Sequence, residues 1–154
     1  MAALSTETAI HAMVRACRAG QHLACVSAME SGWVVMAERQ VLRGYCLLLP
    51  DPVVGHLNEL PEPGRARFLK DLGLLGDALL RVTGAIRINY ALFGNLEPAL
   101  HAHAFPRYAE EPAATRTAQP WALDWSAAAV FSAQLHGDLK RQIAAALAPV
   151  RSTR

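Results

Sequence analysis

Two histidines one residue apart, His101 and His103 in Leu100-His-Ala-His-Ala-Phe105, are the residues whose type and spacing best suit chemistry. In a strand, side chains at i and i+2 point to one face, so the two imidazoles stand side by side. Ala102 and Ala104 then face the other way, small enough for another layer to pack closely behind. Three readings fit such a pair. It can lie on the wet face of a sheet with no further role. It can bind a metal ion, but no Cys, Asp or Glu lies at strand spacing to complete the site, and Glu97 is cut off by Pro98. It can handle phosphoryl groups, because neutral imidazole is a good nucleophile near neutral pH. A second imidazole, if protonated, can hold a phosphate oxygen and steady an in-line displacement.

Such chemistry needs a rigid frame, and the hydrophobic pattern supplies one. Residues from about Ser5 to Ala19 read as a first helix, capped by Ser5 or Thr6, with Ile10, Met13, Val14 and Cys17 on one face and Gly20 as a stop. Gly32–Ala37 and Tyr45–Leu49 read as strands joined by the connection Glu38–Gly44, and Pro50-Asp-Pro52 closes the second. The clearest helix runs from Ala66 to Thr83, with Phe68, Leu69, Leu72, Leu75, Leu79 and Leu80 as its apolar stripe and Gly84 after it. Ala85–Leu92 alternates like a half-buried strand. Phe93–Pro98 carries turn chemistry, with Gly94 and Asn95 able to take left-handed angles. Leu100–Phe105 is the next strand, ended by Pro106. Tyr108 to Pro120 reads as an extended surface arm, and Ser132 to Leu147 as a final helix. Short turns between neighbouring strands predict a mainly antiparallel sheet with packed helices, an α+β fold forming a single domain over residues 1–154.

Composition narrows the function classes. A chain of 154 residues, 53% hydrophobic and 18% charged, is long enough for one proper core and unlike a disordered segment. The net charge of +2 comes from Lys and Arg spread along the chain, so no footprint for duplex nucleic acid is predicted. Cys17, Cys25 and Cys46 are odd in number and contain no CxxC pair, which fits reduced thiols better than a disulfide framework. The run from Cys17 through His22 to Cys25 matches no common zinc spacing. No apolar run approaches the ~18 residues of a membrane span, and the first residues lack the order of a secretory signal. A cytoplasmic protein is expected.

The segment Asn89-Tyr-Ala-Leu-Phe-Gly-Asn-Leu-Glu-Pro-Ala-Leu-His-Ala-His-Ala-Phe-Pro-Arg-Tyr108 resembles the signature of the histidine triad (HIT) superfamily of nucleotide hydrolases and transferases. That motif alternates three histidines with hydrophobic residues, often before Pro-Arg. Pro106-Arg107 sets the alignment, placing His101 at the middle histidine, His103 at the third and Ala99 where the first would stand. The stretch before it looks like the branch with Asn-Tyr-x-x-x-Gly-Asn. Val41-Leu-Arg-Gly-Tyr-Cys-Leu-Leu-Leu-Pro50 resembles the family's Pro-Gly-His strand, so residues of about 30–110 carry the likeness. The resemblance implies that His101 attacks the α-phosphorus of a nucleotide and forms a nucleotidyl-histidine. It implies substrate contacts for His103, Asn89 and Asn95, ribose recognition near Glu38 and Gln40, no cofactor or metal, and a homodimer. The family's histidine after the Ile-Pro-Lys strand has no counterpart in Leu49–Val53, and His56 lies three residues later. That departure favours substrates with good leaving groups, such as dinucleoside polyphosphates. The alternative is a catalytically weak nucleotide-binding protein of the same fold. Arg107 reads more readily as the partner of a surface carboxylate than as a steering charge, and Trp121 and Trp125 as a cap on the sheet or a dimer contact.

Overall fold

The structure, a computed structural model, describes residues 7–149. The first helix, α1 (Ala9–Arg18), is capped by Thr8, whose side chain accepts from the His11 amide while the His11 ring accepts from the Thr8 amide. This reciprocal pair satisfies two donors that the first turn leaves open. The caps expected at Ser5 and Thr6 lie outside the described residues.

Five strands form one antiparallel sheet: β1 (Cys25–Ala28), β2 (Gly32–Met36), β4 (Cys46–Pro50), β5 (Arg87–Ala91) and β6 (Ala102–Arg107), in the spatial order β1-β2-β4-β6-β5. A separate two-stranded ribbon pairs β3 (Arg39–Gln40), inside the expected connection, with β7 (Ala129–Val130). The expected α+β fold with a mainly antiparallel sheet is therefore found, with one more strand in the main sheet than the pattern suggests. β1 is short, half-exposed and irregular between Cys25 and Ser27, which explains its weak signal.

The long helix α2 (Glu62–Thr83) begins four residues before Ala66, because Pro63 suits a first turn whose amides have no helical acceptor. Gly84, at φ +71°, ends it in the left-handed conformation that glycine adopts without strain. The last helix, α3 (Ala133–Leu147), starts where Ser132 accepts a hydrogen bond from the Leu135 amide.

β6 is shifted two residues along from the expected Leu100–Phe105, and Pro106 lies within it. The Arg107 carbonyl accepts from Ile86, so Arg107 turns its backbone groups toward β5 and Pro106 turns its own toward the β4 side. Pairing with β4 reaches only Cys46–Ala104, so the donor that proline lacks has no acceptor waiting.

Helices α2 and α3 cover one face of the sheet. Phe68, Leu75, Leu79 and Ile143 pack there on Val34, Met36, Cys46, Leu48, Ala102 and Ala104. Both alanines are fully buried, as the close approach of α2 demands. The other face carries α1, with Ile10, Val14 and Cys17 on Val35, Leu49 and Ala99. Beside it Tyr45 and Phe105 lie under Trp125. The histidines belong to this second face. No helix among the described residues is long and apolar enough to cross a membrane.

Candidate functional site

The two imidazoles meet edge to face, with ring centroids 4.8 Å apart. His101 stands one residue ahead of β6, held by the hydrogen bond from the Leu100 amide to the Val54 carbonyl. Its Nδ1 lies 2.7 Å from the Ala99 carbonyl oxygen. A carbonyl only accepts, so Nδ1 carries a proton, and in the neutral ring the lone pair lies on Nε2. The position of the absent first histidine thus contributes a backbone oxygen, which alanine supplies as well as histidine. The Ala99 side chain is buried in the apolar cluster beneath α1.

His103, on β6, lies opposite Leu47 of β4 and Ala91 of β5. The Tyr45 hydroxyl is 2.6 Å from its Nδ1. Burial, and secondarily the neighbouring His101, push the His103 pKa down to about 4. Burial also raises the Tyr45 hydroxyl well above its ordinary value, so it stays protonated. Tyr45 therefore donates to Nδ1 of a neutral ring, whose Nε2–H is left to donate elsewhere. A protonated second imidazole is not what this environment provides. Phosphate binding by His103 would use a neutral N–H donor.

Asn89 faces the same side, paired with Phe105 two residues along the β5–β6 ladder from His103. Its Oδ1 accepts from Arg107 Nη1 at 2.9 Å. Guanidinium only donates, so the bond fixes the amide orientation and leaves both Nδ2 hydrogens unused by Arg107. Arg107 pairs with a carboxylate, Glu111, but as a buried hub and not at the surface. Its remaining donors reach the Thr115, Arg116 and Ala118 carbonyls at 3.2, 3.3 and 2.7 Å.

Two cavities lie by these residues: His101 lines the smaller, and Tyr45, the partner of His103, lines the larger. A cleft of about 780 Å³ lies over Tyr45 and Leu47, between Met13 of α1 and the ring pair Trp125 and Phe131, and Glu38 lies exposed on its wall. A smaller cavity of about 260 Å³ is lined by His101 with Gly55, His56, Asn58, Phe93 and Gly94. The other expected contacts lie elsewhere. Gln40 is buried and committed to its turn, donating to the Ala37 and Tyr45 carbonyls at 2.8 Å each and accepting from the Gly44 amide. That use of every polar atom makes it a strut of the loop and leaves no group for a ligand. Asn95 is exposed and lines neither cavity, and of the two turn residues only Gly94 takes a left-handed angle, at φ +82°.

Tyr45, Trp121 and His56 were not legible as site residues in the sequence. Trp121 stands edge-on to His103 at 5.0 Å and to Phe93 at 4.8 Å, so the tail's cap on the sheet is also a wall of the site. Among the described residues no three His, Cys, Asp or Glu side chains are grouped to hold a metal ion. The His22 ring instead accepts from the Ala24 amide in its own loop.

The strand order, the helices on one face and the histidine pair on the other define the histidine triad fold. Solved structures show the likeness directly. The chain is similar to a histidine triad protein from Bradyrhizobium japonicum, at TM-score 0.69 and 20% identity over 80% of this chain and 89% of that one. A histidine triad protein from Marinobacter aquaeolei gives 0.67 and 19% over 92% and 97%. A hypothetical histidine triad nucleotide-binding protein from Sulfolobus tokodaii gives 0.69 and 15% over 88% and 91%. No protein-family model and no curated protein matches the chain.

Proposed function

We propose that this protein is a nucleotide hydrolase or nucleotidyl transferase acting through a nucleotidyl-histidine on His101. The observation that carries the reading is the Nδ1 hydrogen bond to Ala99, which in the neutral ring puts the His101 lone pair on Nε2, beside an open cavity. In this reading the nucleoside occupies the larger cleft, whose 780 Å³ suits a small ligand, with Glu38 accepting from ribose hydroxyls. Nε2 of His101 attacks the α-phosphorus in line. The Nε2–H of His103 and the free amide hydrogens of Asn89 hold its non-bridging oxygens. Water or another acceptor then takes the nucleotidyl group. No cofactor is required by this chemistry. The unpaired edge of β5 and the exposed Leu69, Leu80, Ile86 and Tyr90 beside it support a homodimer joined there. A second reading, nucleotide binding with weak catalysis, draws support from the smaller cavity, which no Lys or Arg among the described residues lines.

Dinucleoside polyphosphates, which the sequence favours, are the first substrates to try. Wild-type protein quenched in acid should carry one nucleotidyl group by intact mass, and His101→Ala none. Turnover should fall at least about 10³-fold in the variant. Equal turnover by both proteins overturns the proposal, and nucleotide binding without adduct or turnover favours the second reading.

A further inference from the structure

The loop after β4 ends in a histidine with no role so far, and it shares a cavity with the nucleophile. His56 lines the same space of about 260 Å³ as His101, and the other walls named above, with Leu57, Leu92, Ala99 and Leu100, contribute no other titratable side chain. The loop is built for its position. Glu59 accepts from the Gly55 amide at 2.7 Å through one oxygen and faces His56 Nε2 at 3.4 Å with the other. It sits so close that a Cβ at Gly55 would meet Glu59 Oε1 at 3.0 Å. The Val54 carbonyl, two residues before His56, accepts from the Leu100 amide, one residue before His101. Both histidines are thus tied to one backbone junction.

An in-line displacement sends the leaving group away from the attacking nitrogen. With the nucleoside in the cleft over Tyr45 and Leu47, the space left for the departing group is the cavity that His56 lines. We propose that His56 is the general acid for the leaving group, a role that rests on the nucleotidyl-transfer reading above. As the His101 Nε2–phosphorus bond forms and the bond from phosphorus to the leaving oxygen breaks, that oxygen takes the electron pair and the Nδ1 proton of imidazolium His56. Glu59 holds Nε2–H throughout. In the second half-reaction neutral His56 takes a proton from the attacking water, the phosphorus–nitrogen bond breaks and both histidines return to their starting forms. The chain therefore supplies from a displaced loop position the assistance that Leu49–Val53 lacks, and its range extends to basic leaving groups.

Aryl esters of a nucleoside 5′-monophosphate with graded leaving groups test this role, read as the rate of His101 adduct formation in a single turnover. His56→Gln should slow the unsubstituted phenyl ester about 10²-fold or more and leave the 4-nitrophenyl ester within about twofold. The dependence of rate on leaving-group basicity should steepen accordingly. An adduct that forms with equal loss for all esters, or with no loss for any, overturns this role and leaves the function of His101 standing. No His101 adduct from any ester in the wild type overturns the underlying reading, and this role with it.

Discussion

Fixed hydrogen-bond partners set the tautomers of the two rings. Ala99 fixes His101 through a carbonyl, and Tyr45 fixes His103 through a hydroxyl, so in their neutral forms one ring presents a lone pair and its neighbour an N–H. Keeping His103 neutral has a consequence for stability. Its folded pKa of about 4 lies below the unfolded value of ~6.5, so between those limits the unfolded chain binds the extra proton. Stability attributable to this ring is therefore complete above about pH 6.5 and declines as the pH falls toward 4, by about 1–2 kcal/mol in total for a ring still partly in contact with solvent. Denaturant melts at pH 7.0 and 4.5 should show that loss in the wild type, and His103→Gln should remove most of it. An unchanged pH slope in the variant would place the sensitivity elsewhere. Little of this was legible beforehand. The His-x-His spacing announced a shared face, but a hydroxyl from residue 45 enters only because β4 and β6 pair in one register.

Among the elements, the arm from Tyr108 to Pro120 has little apolar packing of its own and depends on one side chain. Arg107 gathers Glu111 and three arm carbonyls beneath it, and the arm then delivers Trp121 to His103. Arg107→Met should leave the half-buried Glu111 carboxylate and three arm carbonyls without their donor, at a cost of about 1–3 kcal/mol. Limited proteolysis should then cut within 108–118 while β5 and β6 stay intact, and tryptophan emission should shift red. Resistance of the arm to protease would show that its turns suffice without the hub. The helices were the most legible elements, because α2 and α3 combine an apolar stripe with end signals at Gly84 and Ser132. The strands were less so. β1 is too short to declare a period, and Pro106 looks like a terminator until its backbone is seen to face the vacant side of the sheet.

At the scale of the whole molecule, the helices close one face of the sheet, while α1 and the tryptophan tail only partly cover the other. Two cavities open where that second cover is incomplete, one lined by Tyr45 and Leu47 and the other by His101. β5 is one of the two edge strands of the sheet, with Tyr90 exposed on it. If the proposed dimer forms there, sedimentation should give twice the chain mass, and Tyr90→Lys with Leu80→Lys should give the monomer. A wild-type monomer at micromolar concentration would remove this part of the proposal.

The sequence by itself determined the α+β class, the α2 and α3 spans to within a few residues, and the shared face of His101 and His103. These follow from periodicity, capping and turn residues, which act over a few positions of chain. Tertiary structure alone decided which nitrogen of each ring is free, that Gln40 is a strut, and that Arg107 is buried. It also decided that His56 reaches the cavity of His101. Each depends on which distant backbone or side chain arrives beside the residue, and strand register and loop closure set that, not local spacing.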